Sequence, residues 1–200
     1  MRKIVVFTMI SLDGVMQAPG GPGEDTSGGF RFGGWTVPYA DESFGSIINA
    51  ELSVPFDLLL GRKTYEIFAS YWPEQTGPIA DPFNKATKYV VSGNGVDLTW
   101  KESILINDDV VAKIKALKKE DGPVFQVWGS GKLLQTLLKN DLVDELRLRI
   151  FPITLGSGKR LFAEGTIPAA FELIDSKALP SGVILANYKR SGEFKTGSLA

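Results

Sequence analysis

The chain has 200 residues, enough for one domain spanning 1–200, since domains run roughly 100–200 residues. Its 22 basic and 23 acidic residues leave a net charge of −1, so no general field is available for nucleic acid or an anionic membrane. Cys and His are both absent, which excludes disulfides, thiol nucleophiles, Cys- or His-held metals and a His base. Acid–base chemistry then falls to Asp, Glu, Lys or Tyr, and harder chemistry to a cofactor.

Ile4 to Ile10 is apolar and rich in β-branched residues, as in a strand buried on both faces of a parallel sheet. It is too short to span a membrane and has no small-residue cleavage site after it, so a cytoplasmic protein is expected. Gln17 to Trp35 holds seven Gly and two Pro, with Phe30, Phe32 and Trp35 interleaved. So long a loop with large apolar groups is expected to be packed, either as a lid over a ligand or as a passive surface loop. Phe44, Ile47, Ile48 and Leu52 predict a helix over 41–52. Phe56 to Leu60 reads as a strand, and a helix is expected from Thr64 to about Ser70. Tyr71 to Pro82 reads as irregular. Strands are expected at 88–92 and 104–106, the second feeding a helix capped by Asn107 or Asp108. Val124 to Trp128 is a strand, followed by a helix with Leu133, Leu134, Leu137 and Leu138 on one face. Leu142 to Phe151 alternates Leu146, Leu148 and Ile150 with Arg147 and Arg149, as in a half-exposed strand. Leu179-Pro180-Ser181-Gly182 predicts the turn of a C-terminal hairpin. The whole reads as α/β, a mainly parallel sheet flanked by helices with an antiparallel hairpin at its end.

Two turns stand where a phosphate could bind. Gly61-Arg62-Lys63-Thr64 leads from a strand into a helix, where free N–H groups and two cations suit an anion. It could equally be a tight turn with an N-cap Thr. Gly129-Ser130-Gly131 also joins a strand to a helix, but Leu134 replaces the third Gly of a dinucleotide fingerprint. Gln126 and Leu133 rule out a Walker loop. Asp13-Gly14 is a turn by residue type, and Lys159-Arg160 could meet a substrate phosphate or lie on an exposed basic turn.

In order along the chain, these segments resemble the dihydrofolate reductase-like superfamily. The nearest branch is the C-terminal reductase domain of the bifunctional riboflavin-pathway deaminase/reductase, in stand-alone form. The resemblance is carried by Ser11-Leu12-Asp13-Gly14, by Leu58 to Glu66, by Tyr89 to Ser92 and by Val127 to Gly131. It continues through Leu142 to Leu146, Pro152 to Gly158 and Leu161-Phe162. It implies an NADPH-dependent reductase acting on a small molecule, of the type that reduces 5-amino-6-(5-phosphoribosylamino)uracil, with pterin-type reduction or turnover-free nucleotide binding as alternatives. It places Gly61, Arg62, Lys63 and Thr64 at the adenosine 2′-phosphate and Ser92 near the adenosine. Gly129, Ser130, Gly131, Lys132 and Leu133 would take the pyrophosphate, and Met9, Ile10, Val15 and Met16 would flank the nicotinamide. Gly14, Trp35 and Lys159 are candidate substrate residues, and Asp13 or Asp41 a candidate proton donor. Two positions depart from that branch: Phe68 and Trp128 stand near places that usually carry acids. A homodimer is expected through the late strands, which need a cover.

Overall fold

The structure, a computed structural model, describes residues 1–164 and 166–199. Its centre is one strand, β1 (Ile4–Ser11), hydrogen-bonded on both sides to parallel neighbours. Those neighbours are β5 (Val124–Trp128) and β6 (Glu145–Phe151). With β2 (Phe56–Gly61), β3 (Lys88–Val91), β4 (Ser103–Ile106), β7 (Phe171–Ala178) and β8 (Ile184–Arg190) they form an eight-stranded sheet ordered β4-β3-β2-β5-β1-β6-β8-β7. Pairing is parallel from β4 to β6, and β8 then runs antiparallel to both β6 and β7. The expected α/β architecture and C-terminal hairpin are both present.

Helices cover both faces, which is why β1 can be apolar on both sides. On one face α1 (Glu42–Leu52) buries Phe44, Ile48 and Leu52 against Trp35, Phe151 and Leu185. On the other, α4 (Val110–Lys119) and α5 (Gly131–Lys139) bury Ile114 and four Leu against Ile4, Val6, Leu146 and Leu148. α2 (Arg62–Ala69) is anchored by Tyr65, 1% exposed, whose hydroxyl accepts the Trp100 N–H at 3.0 Å.

Four expectations need correction. The helix expected from Thr64 begins at Arg62, because Gly61 is extended and serves as its N-cap. The segment read as irregular contains a short turn at Trp72–Glu74 and the start of α3 (Ala80–Lys85), which Phe83 holds to the core. Neither Asn107 nor Asp108 caps α4; Asp109 precedes it in a left-handed conformation, and Asp108 pairs with Lys113 instead. Finally, β6 is not half-exposed. It lies inside the sheet, and Arg149 is 2% exposed, paired with Glu51 of α1. The edges are β4 and β7.

Lys88 is fully buried at the start of β3, and among the described residues no carboxylate forms an ion pair with it, although the charge of Glu102 acts on it. Its Nζ donates to the carbonyls of Asn84 (2.7 Å) and Lys101 (3.1 Å) and lies 4.3 Å from the centre of the Trp100 ring. Burial pushes its ammonium down to about 8 from an ordinary 10.5. Between those values the unfolded chain holds the proton and the folded chain does not, so this group makes stability rise with pH there. Denaturant titrations of wild type and Lys88→Met are expected to differ in that alkaline window. The wild type should gain on the variant by about 2–3 kcal/mol from pH 8 to 10.5. A constant difference would mean that Lys88 stays charged.

Candidate active site at the ends of the parallel strands

The C-terminal ends of β2 and β5 emerge side by side, and their turns are stitched together. Ser130 adopts φ 72°, ψ 67°, a left-handed conformation rare for a residue with a side chain. Its hydroxyl accepts the Gly61 N–H at 2.8 Å and donates to Thr64 Oγ1 at 2.8 Å. A Cβ on Gly61 would come within 3.1 Å of Ser130 Cβ and Oγ, so the two turns are in tight contact here. The structure thus brings the two candidate anion-binding turns together. Thr64 is not an N-cap; it is the partner of Ser130.

Neither helix start carries a side-chain cap. The first-turn N–H groups of α2 and α5 therefore point out of the same sheet edge, with both dipoles positive there. A Cβ on Gly131 would meet nothing within 4 Å, which leaves room for a ligand over that turn. Arg62, Lys63 and Lys132 are exposed around it, while Leu133 is core. Arg62 already pairs with Glu66 at 2.7 Å, so an incoming phosphate competes with that carboxylate. Ser92 is buried and donates to the Gly95 carbonyl at 2.7 Å, shaping the turn after β3. These donors and cations fit a dinucleotide phosphate group.

A second junction joins the loop after β1 to the loop after β6. Backbone bonds run from Leu12 N–H to the Ile153 carbonyl (2.7 Å), from Met16 N–H to the Lys159 carbonyl (2.8 Å) and from Leu161 N–H to the Gly14 carbonyl (3.0 Å). Asp13 lies at its centre. Its carboxylate accepts the Ser11 hydroxyl (2.6 Å) and the N–H groups of Leu155 (3.1 Å) and Gly156 (2.8 Å), and Arg160 lies 3.6 Å away. The Ser11 bond, helped by the two N–H groups, holds the carboxyl down at about 2. Asp13 is thus an ionised clamp between the two loops at neutral pH, with no proton to donate there. Asp41, the other candidate donor, accepts the Phe44 N–H at 2.8 Å and caps α1. Along the segment expected to flank a nicotinamide, Ile10, Val15 and Met16 are buried, and Met9 is partly exposed.

The glycine-rich loop is packed rather than poised. Phe30 and Trp35 are 6% and 7% exposed. Trp35 donates Nε1–H to the Gln17 carbonyl at 2.8 Å and meets Phe151 edge-on. Trp35 is therefore core and not a surface for substrate, and the passive-loop reading fits these contacts. Gln17 donates to the carbonyls of Asp25 and Ser27 and accepts the Lys159 N–H, which fastens the loop. Lys159 Nζ pairs with Asp25 at 2.5 Å on the rim of a cavity of about 290 Å³ lined also by Ser27, Phe30 and Gly158.

Sequence reasoning missed an aromatic wall beside the second glycine turn. Trp128, the last residue of β5, stacks on Phe7 at 4.8 Å and meets Phe83 edge-on at 5.5 Å. Phe83 in turn contacts Phe68 and Trp72. Trp128, Phe68 and Trp72 stay partly exposed. The aromatics were visible in the sequence; that five separate segments bring them together was not.

The profile of the RibD C-terminal domain matches residues 2–185. The chain belongs to the RibD C-terminal domain family. It is a reductase of that family, with a dihydrofolate reductase-like fold. Among relatives, the uncharacterized protein YyaP of Bacillus subtilis is 26% identical over 196 residues, covering 96% of each chain. YwjB of the same organism is 27% identical over 187 residues, 92% of this chain and 96% of its own. A candidate riboflavin biosynthesis protein from Shewanella sp. PV-4 shares the fold with TM-score 0.68 and 23% identity, covering 95% of this chain and 99% of its own. Dihydrofolate reductase from Enterococcus faecalis, complexed with NADP(H), shares it with TM-score 0.60 and 14% identity, covering 95% and 97%.

The Asp13 clamp gives a direct test. Asp13→Ala removes three donated hydrogen bonds to a charged acceptor and is expected to cost about 1.5–3 kcal/mol at neutral pH. The carboxyl is depressed from 3.8 to about 2, so its contribution is present above 3.8 and fades as pH falls through 2. Unfolding of wild type and variant should therefore converge in acid. A gap that persists there would assign the loss to packing.

Proposed function

We propose that the chain is an NADPH-dependent reductase of a small heterocyclic molecule, working in the cytoplasm. The observation that carries this is the stitched pair of turns, two uncapped helix starts flanked by Arg62, Lys63 and Lys132 at adjacent strand ends. Open α/β sheets bind ligands along that edge, where the strand order switches. The first turns of α2 and α5 would hold the phosphates, with Arg62 and Lys63 on a 2′-phosphate and the Ser92 turn beside the adenosine. Bound NADPH would supply the hydride. The chain's own task is to orient the ring near Met9 and Gly129 and to keep water out. Neither Asp13 nor Asp41 is placed to give a proton, so a bulk or bound water is the assigned donor.

The family supports 5-amino-6-(5-phosphoribosylamino)uracil as substrate. A second reading, a pterin or other planar conjugated substrate, is favoured by the wall of Trp128, Phe68 and Trp72 beside the same turn. Oxidation of NADPH with each compound separates the two, and turnover with none favours a nucleotide-binding protein.

NADPH should bind at least about tenfold more tightly than NADH, the worth of one charge-assisted contact. Arg62→Ala should erase the difference, and Glu66→Gln, which frees Arg62, should enlarge it. Gly131→Val should abolish binding of both cofactors with an unchanged circular dichroism spectrum. Equal affinities of the wild type for NADPH and NADH would reject the 2′-phosphate assignment.

We also propose a homodimer. The edge strand β7 is exposed along Glu172–Ala178, with Leu173 and Ile174 48% and 50% accessible. Such an edge invites pairing with a second copy. Light scattering should give twice the chain mass of 21.8 kDa, and Ile174→Lys should shift it toward one chain. A single-chain mass for the wild type at micromolar concentration would reject the dimer.

A further inference from the structure

The sequence contains one Asn-Gly pair, Asn94-Gly95, in the turn after β3. Asn-Gly is chemically special. The glycine has no side chain to hinder its own nitrogen, so that nitrogen can attack the Asn side-chain carbonyl. A C–N bond forms, ammonia leaves, and the resulting succinimide opens with water to aspartate or isoaspartate. No oxidant or enzyme is needed. Most such reactions are slowed in folded proteins by hydrogen bonds that hold the side chain away. Asp13-Gly14 illustrates that protection, because the Asp13 carboxylate is fixed by Ser11, Leu155 and Gly156.

Asn94 has no such restraint. It is exposed, and among the described residues no hydrogen bond engages its side-chain amide. Gly95 stands at φ +74°, and a Cβ there would meet nothing within 4 Å, so the turn is loosely surrounded at this residue. Ser92 Oγ donates to the Gly95 carbonyl, which takes no part in the ring closure.

The position gives the change a consequence. Gly61 of β2 and Val91 of β3 are paired in register, so Arg62 and Ser92 leave the sheet as neighbours. Adjacent strands lie about 4.8 Å apart, which sets the 92–95 turn alongside the first turn of α2. We infer that Asn94 is a spontaneous deamidation site whose product places a negative charge beside Arg62 and Lys63 and weakens recognition of a phosphorylated nucleotide there. The loss of affinity rests on the cofactor reading above; the modification does not.

The purified full chain would be held in warm, mildly alkaline buffer and digested for peptide mass mapping, with isoaspartate scored separately. The peptide carrying Asn94 should gain one mass unit before those carrying Asn49, Asn84, Asn107, Asn140 or Asn187. Asn94→Ser should lack this fast phase. An unchanged Asn94 peptide, or another Asn reacting first, would overturn the site. Asn94→Asp, made directly, should lower NADPH affinity about two- to fourfold at low salt, with NADH affinity nearly constant. An unchanged NADPH affinity would overturn the link to recognition even if the mass shift is seen. If the wild type binds neither cofactor, the cofactor reading and this link fail together, and the mass shift alone still decides the site.

Discussion

The hydroxyl of Ser130 closes the sheet edge on which the rest of the site depends. A non-glycine residue in the left-handed region costs about 1–2 kcal/mol. Two hydrogen bonds, to Gly61 N–H and Thr64 Oγ1, offset that cost at about 0.5–1.5 kcal/mol each. Because the side chain serves the neighbouring turn, it cannot cap its own helix. Gly61, the N-cap of α2, has no side chain to accept the first-turn N–H groups either. The device that holds two strand ends together therefore leaves two helix N-termini open. A structural constraint and an anion-binding surface come from the same few atoms.

The opposite wall is built by a carboxylate in the way the first is built by a hydroxyl. Asp13 gathers two N–H groups from the loop after β6, and the loop's own chain then hydrogen-bonds back along Gly14 to Met16. Gly158 must lack a side chain here, since a Cβ would lie 2.7 Å from Val15 and 3.0 Å from Phe30. The glycine-rich loop packs onto this junction through Phe30 and Gln17, and Gln17 accepts the Lys159 N–H. Gly33 and Gly34 make a tight internal turn in it, where a Cβ on Gly33 would lie 2.4 Å from the Gly21 carbonyl and Gly34 stands at φ +80° against Pro22.

Most elements were legible because their patterns are local. The β-branched run of β1, the Leu face of α5 and the Pro-Ser-Gly hairpin turn each declare themselves within a few residues. The two glycine turns were also visible, but their meeting was not, since it depends on β2 and β5 being adjacent though far apart in sequence. The start of α4 was misplaced because Asp108 was drawn away by Lys113. Trp35 and Asp13 mark the limit of such reading: residue type shows what a side chain can do, while the partners that occupy it come from distant segments. Phe151 and Gln17 claim Trp35, and Leu155 and Gly156 claim Asp13.

Arg149 shows how far that limit reaches. Alternating Leu and Arg in β6 has the period of a strand with one wet face, yet both faces are covered. The arginine is kept in the interior by polar partners on each side. Glu51 of α1 takes its guanidinium, and the same Nη1 that reaches its own chain at Leu148 also donates to Asn187 at 3.1 Å. Asn187 passes the contact to Asp175 on the edge strand at 3.0 Å. Burial pulls Arg149 down to about 10, which still leaves it charged at neutral pH, so Glu51 cannot be lost without stranding a buried cation. Such losses typically cost about 3–5 kcal/mol, more than a surface pair ever returns. The polar line also fixes geometry. It runs from the last turn of α1, through β6 and β8, to β7, and so sets the helix covering one face of the sheet in register with the sheet's far edge.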